Sequence, residues 1–179
     1  MMRRIVSLVI LCVAIIGVSA ASAQSDDAER RDTRTRLNAL LSSYGSTVNM
    51  SFHQAVKNEW NFIGTLTEGV KNADSFEVVI GVTTDKTISI LAYPHYKGAY
   101  INIDKVRNPA GLLRKMVNLS YHNFLPWAAD DTGDVVARFQ FTLESGFPVE
   151  AIQVVLRSIK LLDQFVGQMR PDIDGSSAQ

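Results

Sequence analysis

A chain of 179 residues has room for one ordinary domain, and 46% hydrophobic against 20% charged residues is a globular composition without a disorder bias. The 18 basic and 18 acidic side chains cancel, which argues against a nucleic-acid binder with a clustered basic excess. The one cysteine, Cys12, lies in a stretch patterned like an export signal, so the mature chain expected from it has no disulfide, thiol nucleophile or thiolate metal site.

The chain opens on "MMRR", the 14-residue apolar run "IVSLVILCVAIIGV" and the small residues "SAASAQ". A charged start, a short apolar middle and an A-x-A site read as a cleavable secretory signal over residues 1–23, cut after Ala23. The run is shorter than the ~20 residues a spanning helix needs. Leu11 is too large to precede a lipoprotein cysteine. No stable membrane anchor is therefore expected after cleavage, and the expected destination is the periplasm. Loss of Arg3 and Arg4 leaves 16 basic against 18 acidic side chains.

Residues 24–34 read as a charged lead-in, with order beginning near Thr33. Leu37, Leu40, Leu41 and Tyr44 then recur at helical spacing, and Gly45 is a natural stop. Residues 46–75 are expected to hold two short strands around "KNE", with Trp60, Phe62 and Leu66 sharing a face. In "SFEVVIGVTTDKTISILAYP", Phe76, Val78, Ile80 and Val82 alternate, as do Ile88, Ile90 and Ala92, which predicts a hairpin turning at "TTDK" and ending at Pro94. "AYINI", Ala99 to Ile103, adds a short strand. Asn108 and Pro109 are a cap and first-turn pair for a helix whose apolar stripe is Leu112, Leu113, Met116, Val117 and Tyr121.

"DDTGD" precedes a strand. Val135, Ala137, Phe139, Phe141 and Leu143 alternate with Val136, Arg138, Gln140 and Thr142, so one face is buried and a turn must come before it. The alternate acidic ligands and closing Glu of a calcium loop are not spaced there. A last helix starts near Pro148 and Glu150, with Ile152, Val155, Leu156, Ile159, Leu162, Val166 and Met169 on its main face. Val154, Leu161 and Phe165 widen that face beyond what covering one sheet requires. Either the core wraps the flank or a second copy covers it in a homodimer. Pro171 is expected to end the helix and 171–179 to form a flexible tail.

The sequence has no Gly-rich phosphate loop, no H-x-x-x-H pair and no nucleophile elbow. His53, His95 and His122 lack ligand spacing. No catalytic residue, metal ligand or cofactor is assigned, and no enzyme activity is expected; convergence of His95 with a carboxylate would reopen that reading. "YPHYKGAY" gives the candidate binding cluster Tyr93, His95, Tyr96 and Tyr100, residue types that favour interfaces. Local packing of the tyrosines is the alternative. Trp60 and Trp127 are expected in the core.

The stretches "LLRKMVNLSYHNF", "WAADDTGDVVARFQFTLESGF" and "PVEAIQVVLRSIKLLDQFV" together resemble the YbjN family. "FEVVIGVTTDKTISILAYP" is similar to its central hairpin, and Asn118 stands near the asparagine at the end of that family's helix. The resemblance covers about residues 35–170 and implies an α+β fold like that of type III secretion chaperones: an antiparallel sheet with helices packed against it. It also implies a non-enzymatic module, often dimeric, that binds polypeptide segments, some members being sensory-transduction regulators. The export signal departs from a cytoplasmic chaperone role. The reading is thus an exported chaperone-like or regulatory protein that binds a polypeptide client or partner protein. A periplasmic small-ligand or lipid-binding module is the alternative.

Overall fold

The computed structural model describes residues 27–178. The expected leader, with Cys12, lies outside them. The described chain is an α+β fold, an antiparallel sheet with helices packed against it.

The first helix, α1, runs through residues 27–44 and passes into a 3-10 turn at Gly45–Val48. It therefore includes most of the stretch read as a lead-in. The charges there serve as ties: the Arg30 guanidinium donates to Val82 O at 2.8 and 3.1 Å and lies 3.8 Å from the Trp60 ring centre. Arg34 donates to Glu59 O. Leu37 and Leu41 are fully buried. Trp60, expected in the core, is instead half-buried under Arg30, whereas Trp127 is buried.

Seven strands follow among the described residues: β1 (His53–Gln54), β2 (Asn61–Leu66), β3 (Ser75–Val82), β4 (Thr87–Tyr96), β5 (Ala99–Tyr100), β6 (Trp127–Ala129) and β7 (Val135–Thr142). Their order across the sheet is β1-β2-β3-β4-β7-β6, with β5 beside the end of β4, and every pairing is antiparallel. The two short strands expected in 46–75 are β1 and β2. Pro94 does not end its strand; β4 continues to Tyr96, and Pro94 O still accepts from Ile101 N–H.

Besides α1, the described chain holds the helices α2 (Pro109–His122), α3 (Val149–Ser158) and α4 (Leu162–Ile173). Asn108 caps α2 by accepting from Gly111 N–H at 3.1 Å. The stripe expected on α2 divides. Leu112, Met116 and Leu119 are buried, while Leu113, Val117 and Tyr121 face outward. The single closing helix is broken by a 3-10 turn, Ile159–Leu161, between α3 and α4. Its main face is wrapped by the core, all seven expected residues being at most 1% exposed. Val154 and Leu161 stay exposed and Phe165 half-buried.

Pro171 lies inside α4. Beyond it, terminal carbonyls of the helix find partners outside it: Ile173 O accepts from Arg107 N–H and Asp172 O from Asn108 N–H, both at 2.9 Å. The residues read as a tail thus hold the start of α2.

One buried carboxylate joins the layers. Asp163, in the first turn of α4, accepts from the N–H groups of Lys71, Asn72 and Ala73 at 2.9–3.0 Å and from the Asn72 amide at 3.2 Å. Gly167, one turn on, permits the approach, since a Cβ there would lie 2.8 Å from Asn72 Cγ. Asp163→Ala is expected to cost about 3 kcal/mol or more in urea unfolding, because several buried donors lose their acceptor. Gly167→Ala is expected to destabilise despite the helix propensity of Ala. A gain in stability for either variant contradicts the clamp.

Candidate functional site

The helices cover one face of the sheet. The other face carries the odd-numbered side chains of β2, β3 and β4 and the even-numbered ones of β7, which are mostly half-buried or exposed. Ile63, Val79, Leu91 and Arg138 form one row across it by register.

Three of the four residues of the aromatic cluster meet on this face. Tyr100 is 5.6 Å from Tyr93 between ring centres and packs edge-on against His95 at 4.3 Å. Its hydroxyl donates to Glu77 Oε1 at 2.8 Å. Burial first, then the Glu77 carboxylate, push the Tyr100 phenol up to about 12. Burial and the Asp130 carboxylate raise Tyr93 as well. Tyr96 points to the opposite face, where its hydroxyl donates to Asp174 Oδ2 at 2.8 Å. Lys97, Ser176 and Tyr96 hold the Asp174 carboxyl well below its usual range. Alternation along β4 separates Tyr96 from the other three.

The histidines remain apart: His53 on β1, His95 on β4 and His122 against Tyr121 at the end of α2. Glu77 binds the Tyr100 hydroxyl, and His95 Nε2 is buried without a hydrogen-bond partner among the described residues. "DDTGD" is a hydrogen-bonded turn. Asp130 Oδ1 accepts from Thr132 N–H, Thr132 Oγ1 and Asp134 N–H, and Gly133 takes φ 82°. Among the described residues, no group of three His, Cys, Asp or Glu is placed to hold a metal.

A second locus is the outer edge of β7. In an antiparallel ladder the N–H and C=O of a residue point to one side, and successive residues alternate. Arg138 N–H donates to Pro126 O at 2.9 Å, on the β6 side, whereas Val135 N–H donates to Ile101 O at 2.8 Å, on the β4 side. Even-numbered residues of β7 therefore direct their backbone groups away from β4. β6 pairs only with Val135–Ala137. Gln140 and Thr142, both exposed, consequently present backbone donors and acceptors with no strand of the described residues beside them.

An apolar shelf borders that edge on the helix side. Phe139 lies 4.7 Å from Phe141 and 4.7 Å from Phe124, which is 54% exposed. Beyond Phe124 a cleft of about 170 Å³ is lined by Leu125, Leu161, Leu162 and Phe165. Two of the three residues expected at a dimer interface, Leu161 and Phe165, thus border the shelf, while Val154 is exposed on α3. Phe124, Gln140 and Thr142 did not stand out in the sequence. The mismatch between a three-residue β6 and an eight-residue β7 that exposes them shows only in the structure.

In comparisons with known proteins, no family model, curated protein or solved structure matches this chain.

The Tyr100–Glu77 pair has a pH consequence. A phenol raised in the folded state stabilises the fold below its unfolded value near 10, and that contribution is lost as pH rises towards about 12. Spectrophotometric titration is expected to show a tyrosine titrating near 12 that moves to lower pH in Glu77→Gln. No movement in that variant rules out the contribution of Glu77.

Proposed function

We propose that this protein is an exported, non-enzymatic, chaperone-like or regulatory protein that binds extended polypeptide segments at the β7 edge. The observation that carries the reading is the pair of open backbone positions, Gln140 and Thr142, beside exposed aromatic surface. An added strand would exchange backbone hydrogen bonds with these two residues. Its alternate side chains would then lie on Phe139, Phe141 and Phe124, and the others beside Arg138 and Gln140. Backbone pairing supplies binding that tolerates many sequences, and the shelf selects apolar residues at every second position. The resemblance to the YbjN family and to secretion chaperones supports the same reading, as does the export-signal pattern for a periplasmic site of action.

A small-ligand or lipid module would need an apolar cavity between the sheet and helices. That layer is occupied by a contiguous cluster including Phe76, Ile90, Leu112, Leu156 and Met169, which favours the polypeptide reading.

The test is fluorescence anisotropy with a labelled synthetic peptide of alternating Val and Ser. Gln140→Pro removes one outward N–H from an edge position where proline is tolerated, and Phe124→Ala trims the shelf. Each is expected to weaken binding about tenfold, a loss of about 1.4 kcal/mol, with an unchanged circular dichroism spectrum. Failure of the unsubstituted protein to bind, or equal binding by Gln140→Pro, overturns the reading.

A further inference from the structure

The open part of the β7 edge is self-complementary. We propose that a second copy of this chain pairs with it, antiparallel, about a two-fold axis through Phe141. The inference concerns the edge assigned above to clients but stands whether or not a client exists.

Pairing about Phe141 sets Gln140 opposite the second copy's Thr142, and Thr142 opposite its Gln140. Both residues direct N–H and C=O outward, so each pair exchanges two hydrogen bonds. Four backbone bonds close the outward groups of Gln140 and Thr142 on the two edges. Phe141 meets its counterpart in the non-hydrogen-bonded position, on the face that carries the apolar shelf. Phe139 comes opposite the second copy's Leu143, another half-buried apolar residue packed on the core.

The strand also ends where this pairing requires it to end. Pro126 already holds Arg138 on the outer side, so a longer partner strand would collide with it. β7 stops at Thr142, and a turn closed by Gly146 N–H to Leu143 O, with Gly146 at φ 92°, carries the chain away. That turn brings the exposed Glu144 of the second copy to the corner beside the exposed Arg138. Opposite charges meet twice, once at each end of the two-fold pair. Each copy contributes the same β7 edge about a two-fold axis, so this contact is used up by one partner and closes at two copies.

The charges give a test that a folding defect cannot imitate. Sedimentation velocity on the protein purified after expression of the full chain is expected to show a dimer. Arg138→Glu alone and Glu144→Arg alone are each expected to weaken it about tenfold, and the double reversal to restore it. Register is read separately in a Cys12→Ser background. Phe141→Cys places two thiols across the axis at a Cα separation of about 4.5 Å, within disulfide reach, so mild oxidation is expected to join the copies. Phe139→Cys, displaced along the strand from its own counterpart, is not expected to crosslink. The proposal is overturned by a monomer at every attainable concentration. It is equally overturned by single reversals without effect, by a double reversal no better than the singles, or by a Phe139→Cys variant that crosslinks as readily as Phe141→Cys. Peptide binding by the monomeric Glu144→Arg variant, altered outside the residues assigned to clients, is measured independently, so failure of the dimer and failure of the client reading remain distinguishable.

Discussion

The carboxylate of Asp163 fixes the relation between the helices and the sheet. An anion inside a protein is tolerated when the surrounding donors replace the water it lost. Here the chain supplies three consecutive backbone N–H groups from the β2–β3 connection and one side-chain amide. α4 is thereby held over the face bearing Phe62, Phe76 and Ile90. Through Asp172 and Ile173 it holds the start of α2. α1 is drawn to the same face by Arg30, Leu37 and Leu41. The helices all lie on one side, and the opposite face and the outer end of β7 are left uncovered by them.

Two kinds of surface result, and they differ in how far their polar groups are satisfied. The tyrosine cluster makes most of its own contacts, His95 Nε2 apart: Tyr100 donates to Glu77, the rings pack on one another, and Tyr93 lies by Asp130. A ligand there would have to displace interactions already made. At the β7 edge the backbone groups of Gln140 and Thr142 have no strand of the described residues to exchange with, and Phe124 stands out beside them. Unpaired strand edges are the part of a sheet that most readily accepts another strand. The edge is therefore the stronger candidate, although only the tyrosines stood out by residue type.

What could be read from the sequence follows from periodicity. The hairpin of β3 and β4 was legible because Phe76, Val78, Ile80 and Val82, then Ile88, Ile90 and Ala92, alternate without interruption, and all are buried. The Asn108–Pro109 cap was legible for a similarly local reason. Errors arose where a distant partner overrode the local signal. The charged residues at 27–34 looked solvated, yet Arg30 and Arg34 find carbonyls more than twenty residues away. Pro171 looked like a stop, yet the residues after it bond to the start of α2. Leu113, Val117 and Tyr121 looked like core because spacing reports a face without saying what lies against it. The β7 edge was illegible for the same reason: openness belongs to the neighbour that is missing, here the short β6, and not to Gln140 or Thr142.

A polypeptide client and a second copy would occupy the same backbone groups, so the two states exclude one another. The fraction of chains with a free edge then sets the apparent client affinity, which falls in proportion as that fraction falls. The proposed self-pairing would hide an edge that otherwise invites indiscriminate strand addition, and only the backbone bonds, apolar contacts and charge pairs of one short edge would need replacing to reopen it. A client would compete when its apolar side chains fill the shelf around Phe124 better than the second copy's Phe141 and Leu143 would. Selectivity in such an arrangement comes from the difference between two strands on one edge. The backbone pairing common to both cancels, and the side chains on the shelf decide the outcome.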